Sequence, residues 1–258
     1  YAVPVIAGMG LPTYGHSTLP LPPKLGITFE EILTRHYRVP VEGSGEKRRF
    51  LFNEFGFGYL STVHSNPALE RLREMRHEIV KRPMLATVEK MLMPLQCKTG
   101  KNYLATGYFH KGYETAMMAI ARLSDFDRTL VGNGMEGTTL YGVHKSSRVF
   151  IDTGQGAPRE VTVDAAGAFS PPTASRIQGT YEELKKEKSS LDFIGEWGEA
   201  ALKENRGPAA PLIACQAGLL CHLLGKAPTA QDGFDTASET LKKGKAYDRL
   251  MRYIEKNH

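Results

Sequence analysis

A short apolar run that ends in a glycine-rich loop is the feature that most limits the folds open to this chain. Residues 129–131 are typical of a buried strand, and Gly132, Gly134 and Gly137 follow directly. Glycine lets the backbone turn, or approach a ligand, where a side chain would clash. In an α/β protein such a loop lies at the carboxyl edge of the sheet, where ligands usually bind.

The residues before this run supply the rest of a βαβ unit. Residues 102–106 predict a strand, and residues 113–123, YETAMMAIARL, predict a helix. A helix that connects two parallel strands is the usual crossover of α/β proteins. The sequence therefore predicts an α/β fold in which this crossover leads to the glycine loop, a candidate ligand site.

The composition is that of an ordinary globular protein. Of the 258 residues, 41% are hydrophobic and 24% are charged, so the chain can form one large domain, or a large and a small one, with a substantial core. The net charge of +5 would suit a phosphate-bearing partner. A mildly basic surface with no special partner explains the same number, so both interpretations stay open.

Cysteine usage and hydropathy exclude several classes of protein. Cys97, Cys215 and Cys221 form no CxxC pair and have no histidine at ligand spacing, which argues against a disulfide framework and a zinc site and favours a reducing compartment. The longest apolar run, 209–224, is shorter than the roughly 20 residues of a spanning helix and predicts a buried core helix. Because the chain begins at Tyr1, we expect it to be processed, trimmed or incomplete.

Local signals place further elements in the first third of the chain. The end of a helix and a short strand precede a proline-rich loop. A capping box at 28–31 predicts a helix over 29–37. Residues 42–49 are polar and predict a flexible connection, whereas an Asn-Pro start signal predicts a helix over 66–80, followed by a second helix over 83–92.

The later part of the sequence predicts a hairpin and then helices. Residues 148–151 and 159–163 predict two strands, and the two prolines at 170–172 predict the end of the sheet region. The pattern is helical from residue 190 onwards. The predicted helices cover residues 193–204, 208–224, 230–242 and 245–254.

Several of these pieces match the motifs of one family in order and spacing. Residues 66–79 look like its HPA…VRREL helix, residues 83–94 like its FNLLGPLLNP helix, and the Gly-Lys-Ala triplets at 225–227 and 244–246 like its GKA patterns. Over nearly its whole length, the chain resembles the large domain of the anthranilate phosphoribosyltransferases. Their wider group, glycosyltransferase family 3, includes pyrimidine nucleoside phosphorylases and TrpD-like proteins.

The resemblance implies an α/β fold with a central, mostly parallel sheet flanked by helices. It implies a single domain, residues 1–258, in which residues 41–82 are the remnant of an inserted small helical domain. The family's N-terminal helices have no counterpart here. The Gly-x-Glu-Gly form of the loop is similar to that of TrpD-like proteins of photosynthetic lineages, which implies a soluble protein of the chloroplast, with the cytoplasm as the alternative.

The family's chemistry sets requirements that can be compared with these residues. It displaces pyrophosphate from a phosphoribosyl diphosphate held by magnesium and backbone amides, using a glycine-rich phosphate loop and a basic acceptor loop. The phosphate loop, GTGGDG, would precede Tyr1. The acceptor loop, KHGNR, falls at residues 15–19, where only His16 matches. Arg76 matches the arginine that contacts anthranilate in the family, but Ala86 replaces an asparagine nearby.

The family's metal-binding motif, DGLDE, falls at residues 136–140. Glu136 is an acid, but Thr139 and Leu140 replace the acidic pair. Neither side chain supplies the anionic oxygens that a hard divalent cation requires. The resemblance therefore implies no resident metal or cofactor and no anthranilate phosphoribosyltransferase activity. Magnesium is expected only if the chain is an active transferase.

Each candidate ligand-binding residue has a structural alternative. His16 is either a residual ligand contact or a hydrogen-bonded loop histidine. Arg76 either binds a phosphate or carboxylate, or pairs with Glu74, Glu78 or another neighbour. The glycine loop either binds a ligand or turns tightly. The candidate residues are His16, Arg76, Gly132, Asn133, Gly134, Glu136 and Gly137.

Three hypotheses about function follow. The leading one is a catalytically degenerate phosphoribosyltransferase-like domain reused as a structural or protein-binding subunit, because the helix over 66–80 lacks its N-terminal partners and should keep a bare apolar face for a protein partner. The second is an active pentosyltransferase whose upstream half is missing from this chain. The third is non-specific nucleic-acid binding through basic clusters at 47–49, 71–73, 81–82 and 185–188.

Overall fold

The computed structural model describes residues 1–22, 26–41, 43–80, 84–187, 189–204, 207 and 209–258. Its helices are α1 (Ala2–Gly8), α2 (Phe29–Glu31), α3 (Gly45–Phe55), α4 (Thr62–Ser65), α5 (Pro67–Glu70), α6 (Arg73–Ile79), α7 (Leu85–Val88), α8 (Tyr113–Leu123), α9 (Ala165–Ala168), α10 (Pro171–Lys186), α11 (Leu191–Glu204), α12 (Ala209–Leu223), α13 (Ala230–Lys242) and α14 (Lys245–Asn257). A π-helical turn, Ile32–His36, continues α2, and 3₁₀ turns lie at Glu89–Met91 and Met135–Gly137.

The strands form two sheets. They are β1 (Thr13–Ser17), β2 (Phe57–Ser61), β3 (Tyr103–Gly107), β4 (Arg128–Gly132), β5 (Ser147–Asp152) and β6 (Arg159–Val163). β1 pairs in parallel with β2, and the second sheet has the order β3-β4-β5-β6. Within it β3 and β4 are parallel, whereas the other two pairings are antiparallel. The predicted α/β class is confirmed, with mixed sheets in place of one mostly parallel sheet.

The predicted βαβ unit is present as β3, α8 and β4. Helix α8 packs Met117, Met118 and Ala121 against Leu104 of β3 and Val131 of β4, and all five side chains are buried. The parallel register pairs the last residues of β3 and β4 with each other. Both strands therefore end at one carboxyl edge, from which the glycine loop leaves, as the sequence predicts.

The C-terminal helices build the main core. The predicted core helix is α12, most of whose side chains are buried. It crosses α13 at a pair of glycines, where a Cβ added to Gly218 would lie 2.3 Å from the amide nitrogen of Phe234. In the described ranges, no helix combines the length and the apolarity needed to cross a bilayer.

The expected flexible connection over 42–49 is wrong for most of its length. Helix α3 begins at Gly45, because Ser44 occupies the N-cap and its Oγ accepts a hydrogen bond from the amide of Lys47 at 3.2 Å. Leu51 and Phe55 then bury one face of the helix. The charged residues at the start of α3 are also typical of loops, so they make the N-cap signal of Ser44 hard to recognise in the sequence. Glu42 lies outside the described residues.

The predicted end of the sheet region at 170–172 is the start of α10. Proline at the first helical position costs no hydrogen bond and has the φ angle that a helix needs, so the prolines begin a helix here. Ile177 and Thr180 anchor α10 on the core. The basic cluster at 185–188 lies at the end of this helix, with residue 188 outside the described part of the chain.

The helix predicted over 66–80 is divided into α5 and α6 by a turn at Arg71 and Leu72. Its start is confirmed, since the side chain of Asn66 accepts a hydrogen bond from the amide of Leu69 at 3.2 Å. The helix predicted over 83–92 is α7 with its 3₁₀ turn. Residues 81–83 lie outside the described ranges, and the division that assigns 41–82 to a small domain stays a prediction.

Candidate functional site

The glycine loop folds back onto the edge of the sheet from which it leaves. A Cβ added to Gly132 would lie 2.4 Å from a ring carbon of Tyr141, so glycine is needed for this contact. The phenol of Tyr141 donates a hydrogen bond to the carbonyl of Thr106 at 2.8 Å. Its ring is buried, and this burial raises its pKa. Tyr141 therefore fills the space beside the ends of β3 and β4.

The backbone of the loop fills the rest of this edge. A Cβ on Gly107, the last residue of β3, would lie 2.2 Å from the carbonyl oxygen of Gly137. One on Gly134 would lie 2.3 Å from the carbonyl oxygen of Thr138. The turn itself has positive φ angles at Glu136 (51°) and Gly137 (77°). These contacts support the tight-turn interpretation of the glycines, and ligand binding by the loop stays a prediction.

Asn133 holds the glycine loop to β5. Its side-chain oxygen accepts a hydrogen bond from the amide of Arg148 at 2.6 Å. Its own amide donates to the carbonyl of Arg148 at 3.1 Å. The hydroxyl of Ser147 also donates to the carbonyl of Asn133 at 3.4 Å. The contacts of this candidate residue thus fix the loop between two strands.

The residues at 136–140 do not fit a magnesium ion. Glu136 is exposed and is the one carboxylate of this segment. The hydroxyl of Thr139 accepts a hydrogen bond from Nε2 of Gln216 at 2.8 Å, and Leu140 is buried. Magnesium prefers several hard oxygen ligands, which this set does not provide. In the described part of the chain, no three histidine, cysteine or acidic side chains are placed to hold a metal.

Arg76 is buried and paired with a residue that sequence reasoning missed. Its guanidinium donates two hydrogen bonds to the carboxylate of Glu89, at 2.8 and 3.1 Å. Arg76 is only 5% exposed. The expected partners Glu74 and Glu78 are both exposed. Glu89 thus accepts hydrogen bonds from both terminal nitrogens of Arg76. An arginine usually binds a carboxylate or phosphate ligand through two such hydrogen bonds.

His16 belongs to the same corner. It lies on β1 opposite Leu60 of β2, and not in a loop as the sequence predicts. Burial lowers the pKa of His16, and the charge of Glu89 partly opposes this change. Glu89 therefore pairs directly with Arg76 and is near enough to His16 to influence its pKa.

A single 3₁₀ turn links this corner to the glycine loop. Glu89 faces Arg76, and the next residue, Lys90, donates a hydrogen bond from Nζ to the carbonyl of Gly107 at 3.3 Å. Gly107 in turn lies against Gly137. The two charged residues interrupt a stretch that is otherwise largely apolar, which is the signal that could have identified them.

The predicted basic clusters have varied surroundings. Arg73 pairs with Glu70 and also donates to the hydroxyl of Thr18. Lys47 donates to the carbonyl of Asn257 at 3.2 Å. Arg48 is buried. Nucleic-acid binding by these clusters stays a prediction.

Comparisons with known proteins agree with this fold. No family model matches the chain. The anthranilate phosphoribosyltransferase of Thermus thermophilus is 28% identical over 221 residues, which are 84% of this chain and 60% of that protein. The one from Persephonella marina is 24% identical over 253 residues, which are 97% of this chain and 70% of that protein.

Solved structures give the same result. The crystal structure of the Thermus thermophilus protein has a TM-score of 0.73 at 22% identity and covers 99% of this chain and 71% of that one. The Saccharomyces cerevisiae protein in complex with PRPP and Mg has a TM-score of 0.69 at 13% identity and covers 99% of this chain and 68% of that one.

These findings define an α/β domain with the fold of the anthranilate phosphoribosyltransferases. The resemblance predicted from the sequence is confirmed: the chain is similar in sequence and in fold to the anthranilate phosphoribosyltransferases. It spans 60% of the length of its Thermus thermophilus relative.

Proposed function

We propose that this chain is a catalytically degenerate phosphoribosyltransferase-like domain that acts as a structural or protein-binding subunit. The observation that carries the proposal is the closed carboxyl edge of the sheet. The ring of Tyr141 and the carbonyls of Gly137 and Thr138 lie where side chains on Gly132, Gly107 and Gly134 would otherwise be. An edge packed by its own chain leaves little room for a ligand there.

The charges of this region also support the proposal. A phosphoribosyl diphosphate is a polyanion, and its transfer depends on cations placed against the leaving group. In the corner that a 3₁₀ turn links to this edge, Arg76 is already paired with Glu89. Thr139 and Leu140 add no carboxylate with which magnesium could be held.

The protein-binding part of the proposal rests on an exposed apolar face. Met75 and Ile79, one turn apart on α6, are 40% and 45% exposed, and Val80 at its end is 57% exposed. Met84, just beyond residues 81–83, is 74% exposed. Proteins seldom leave such groups of large apolar side chains in water unless the surface binds something.

Calorimetry with phosphoribosyl diphosphate and magnesium tests the loss of catalysis. We expect no saturable heat with this chain. The full-length Thermus thermophilus anthranilate phosphoribosyltransferase, run in the same buffer, should bind and serves as the control. Saturable, magnesium-dependent binding by this chain would overturn the proposal in favour of an active transferase.

Site-specific photo-crosslinking in the native extract tests the binding surface. A photoreactive residue at Ile79 should give discrete crosslinked products, and the companion substitution Met75→Lys should remove them. The same probe at Leu123, which is 85% exposed on α8, is the matched apolar control and should give none. Equal products at both positions, or none at Ile79, would contradict a specific partner.

A further inference from the structure

A cleft outside the glycine loop and the Arg76 corner has the properties of an anion site. It has a volume of about 400 Å³ and lies between the start of α3, the strand β2, residues 94–95 and the face of α14 that carries Tyr253. This volume is within the range of small-molecule sites. The proposed function does not use this cleft.

Arg48, in the first turn of α3, lines the cleft with an incompletely bonded guanidinium. The side chain is only 8% exposed. Nη1 donates to the carbonyl of Tyr59 over a long 3.3 Å, while Nε and Nη2 are buried and have no acceptor among the described residues. Buried donors without a partner are unfavourable, and most native structures satisfy them with protein, water or ligand.

A second arginine adds to the positive charge of the cleft. Arg49 lines it, as does the neutral imidazole of His64, and none of its described lining residues is acidic. Burial raises the pKa of Tyr253 on the opposite wall, and the positive charge of Arg48 opposes this rise, as expected for neighbours. A buried or half-buried cation with no counter-ion attracts an anion strongly.

The N-terminus of α3 also favours an anion in the cleft. Gly43 and Gly45, which flank the N-cap Ser44, line the cleft. Ser44 satisfies the amide of Lys47, whereas the first amides of a helix have no partner within it. Free amides and the positive end of the helix dipole together favour phosphate oxygens.

The remaining walls are aromatic. Tyr14 and Phe52 meet edge to face, with ring centroids 5.9 Å apart, and Tyr14 is held by a hydrogen bond to the carbonyl of Leu95 at 3.0 Å. Such walls suit the organic part of a ligand whose charged end lies at Arg48.

From this juxtaposition we propose that the cleft binds a small phosphate monoester, with the phosphate between Arg48, Arg49 and the N-terminus of α3, and the organic group against Tyr14 and Phe52. The proposal requires the guanidinium of Arg48, which one long hydrogen bond holds, to turn so that the buried Nε or Nη2 reaches the phosphate.

Calorimetric titration of the whole chain at low salt, with methyl phosphate, dimethyl phosphate and phenyl phosphate, tests the proposal. Methyl phosphate should bind more tightly than dimethyl phosphate, because the monoester carries more negative charge. Phenyl phosphate should bind most tightly, because its ring contacts the aromatic walls. Dimethyl phosphate binding as well as the monoester would point to the diesters of a nucleic-acid backbone and would overturn the proposal.

Variants locate the site. Arg49→Gln changes an exposed residue and should weaken the binding of methyl phosphate about tenfold, as expected for a charge-assisted hydrogen bond. Arg48→Lys keeps one charge in the core and should weaken binding at least as much, with an unchanged circular dichroism spectrum as the folding check. Arg176→Gln, an exposed arginine on α10, is the matched control and should bind like the wild type.

The outcomes are decisive in either direction. If Arg49→Gln weakens phosphate binding and Arg176→Gln does not, the site is supported, even if Arg48→Lys fails to fold. If Arg176→Gln weakened phosphate binding equally, the effect would be one of net charge alone and the site would be refuted. A failure to detect binding of phenyl phosphate at millimolar concentration would also refute the site. Neither result bears on the glycine loop, so the proposed function is tested separately.

Discussion

The buried ion pair between Arg76 and Glu89 gives the sharpest test of the candidate site. The side chains are 6% and 15% exposed, so removing either partner leaves a charge with little access to water. Breaking such a pair typically costs about 3–5 kcal/mol of the free energy of unfolding. Glu89→Leu should lie at the upper end, because the guanidinium left behind is the more buried group. Arg76→Met should lie at the lower end.

The double variant Arg76→Met/Glu89→Leu should restore most of the loss. It buries apolar side chains in place of two charges, and such replacements are often neutral or stabilising. We therefore expect a stability within about 1 kcal/mol of the wild type, and a strong coupling between the two sites. Urea denaturation followed by far-ultraviolet circular dichroism measures all four proteins at one pH.

Arg148 and Glu160 provide the matched control. They form a similar two-bond pair, at 2.6 and 3.0 Å, but their side chains are 40% and 43% exposed. Water screens an exposed pair of this kind, so breaking it should cost far less stability than breaking the buried pair. If the double variant at 76 and 89 were as unstable as the sum of its single variants, or if the exposed pair cost as much to break, the reasoning from burial would be refuted.

Three further predictions address the loop, the thiols and the histidine. Gly132→Ala should lower the free energy of unfolding by about 1–3 kcal/mol, because its Cβ would meet the ring of Tyr141 at 2.4 Å; urea denaturation measures it. Ellman's reagent should label exposed Cys97 in the native protein but Cys215 only after unfolding, because burial raises the pKa of Cys215 to about 12. The stability should fall as the pH drops below about 6.5, the ordinary pKa of histidine, because His16 takes up a proton in the unfolded chain and not in the fold, where its pKa is lower; His16→Gln should reduce this slope.

Much of the fold could be predicted because its signals are local. The capping box at Thr28 and Glu31 is present as predicted, and α8 has the predicted limits Tyr113–Leu123. The two missed helices fail for a related reason. At α3 and α10 the start signals, Ser44 and Pro171, stand among charges or prolines that are also typical of loops. Burial of one face against the core decided these segments in favour of helix.

The sequence by itself determined the βαβ unit, the glycine loop after it, and the neutral side chains of Thr139 and Leu140 in place of an acidic pair. Backbone preference and side-chain chemistry belong to each residue, so neither depends on the fold. Only the tertiary structure decided that Arg76 pairs with Glu89, 13 residues away, and that Gly107 lies against Gly137. Those contacts join segments that the sequence separates, and their free energy arises only when packing removes both partners from water.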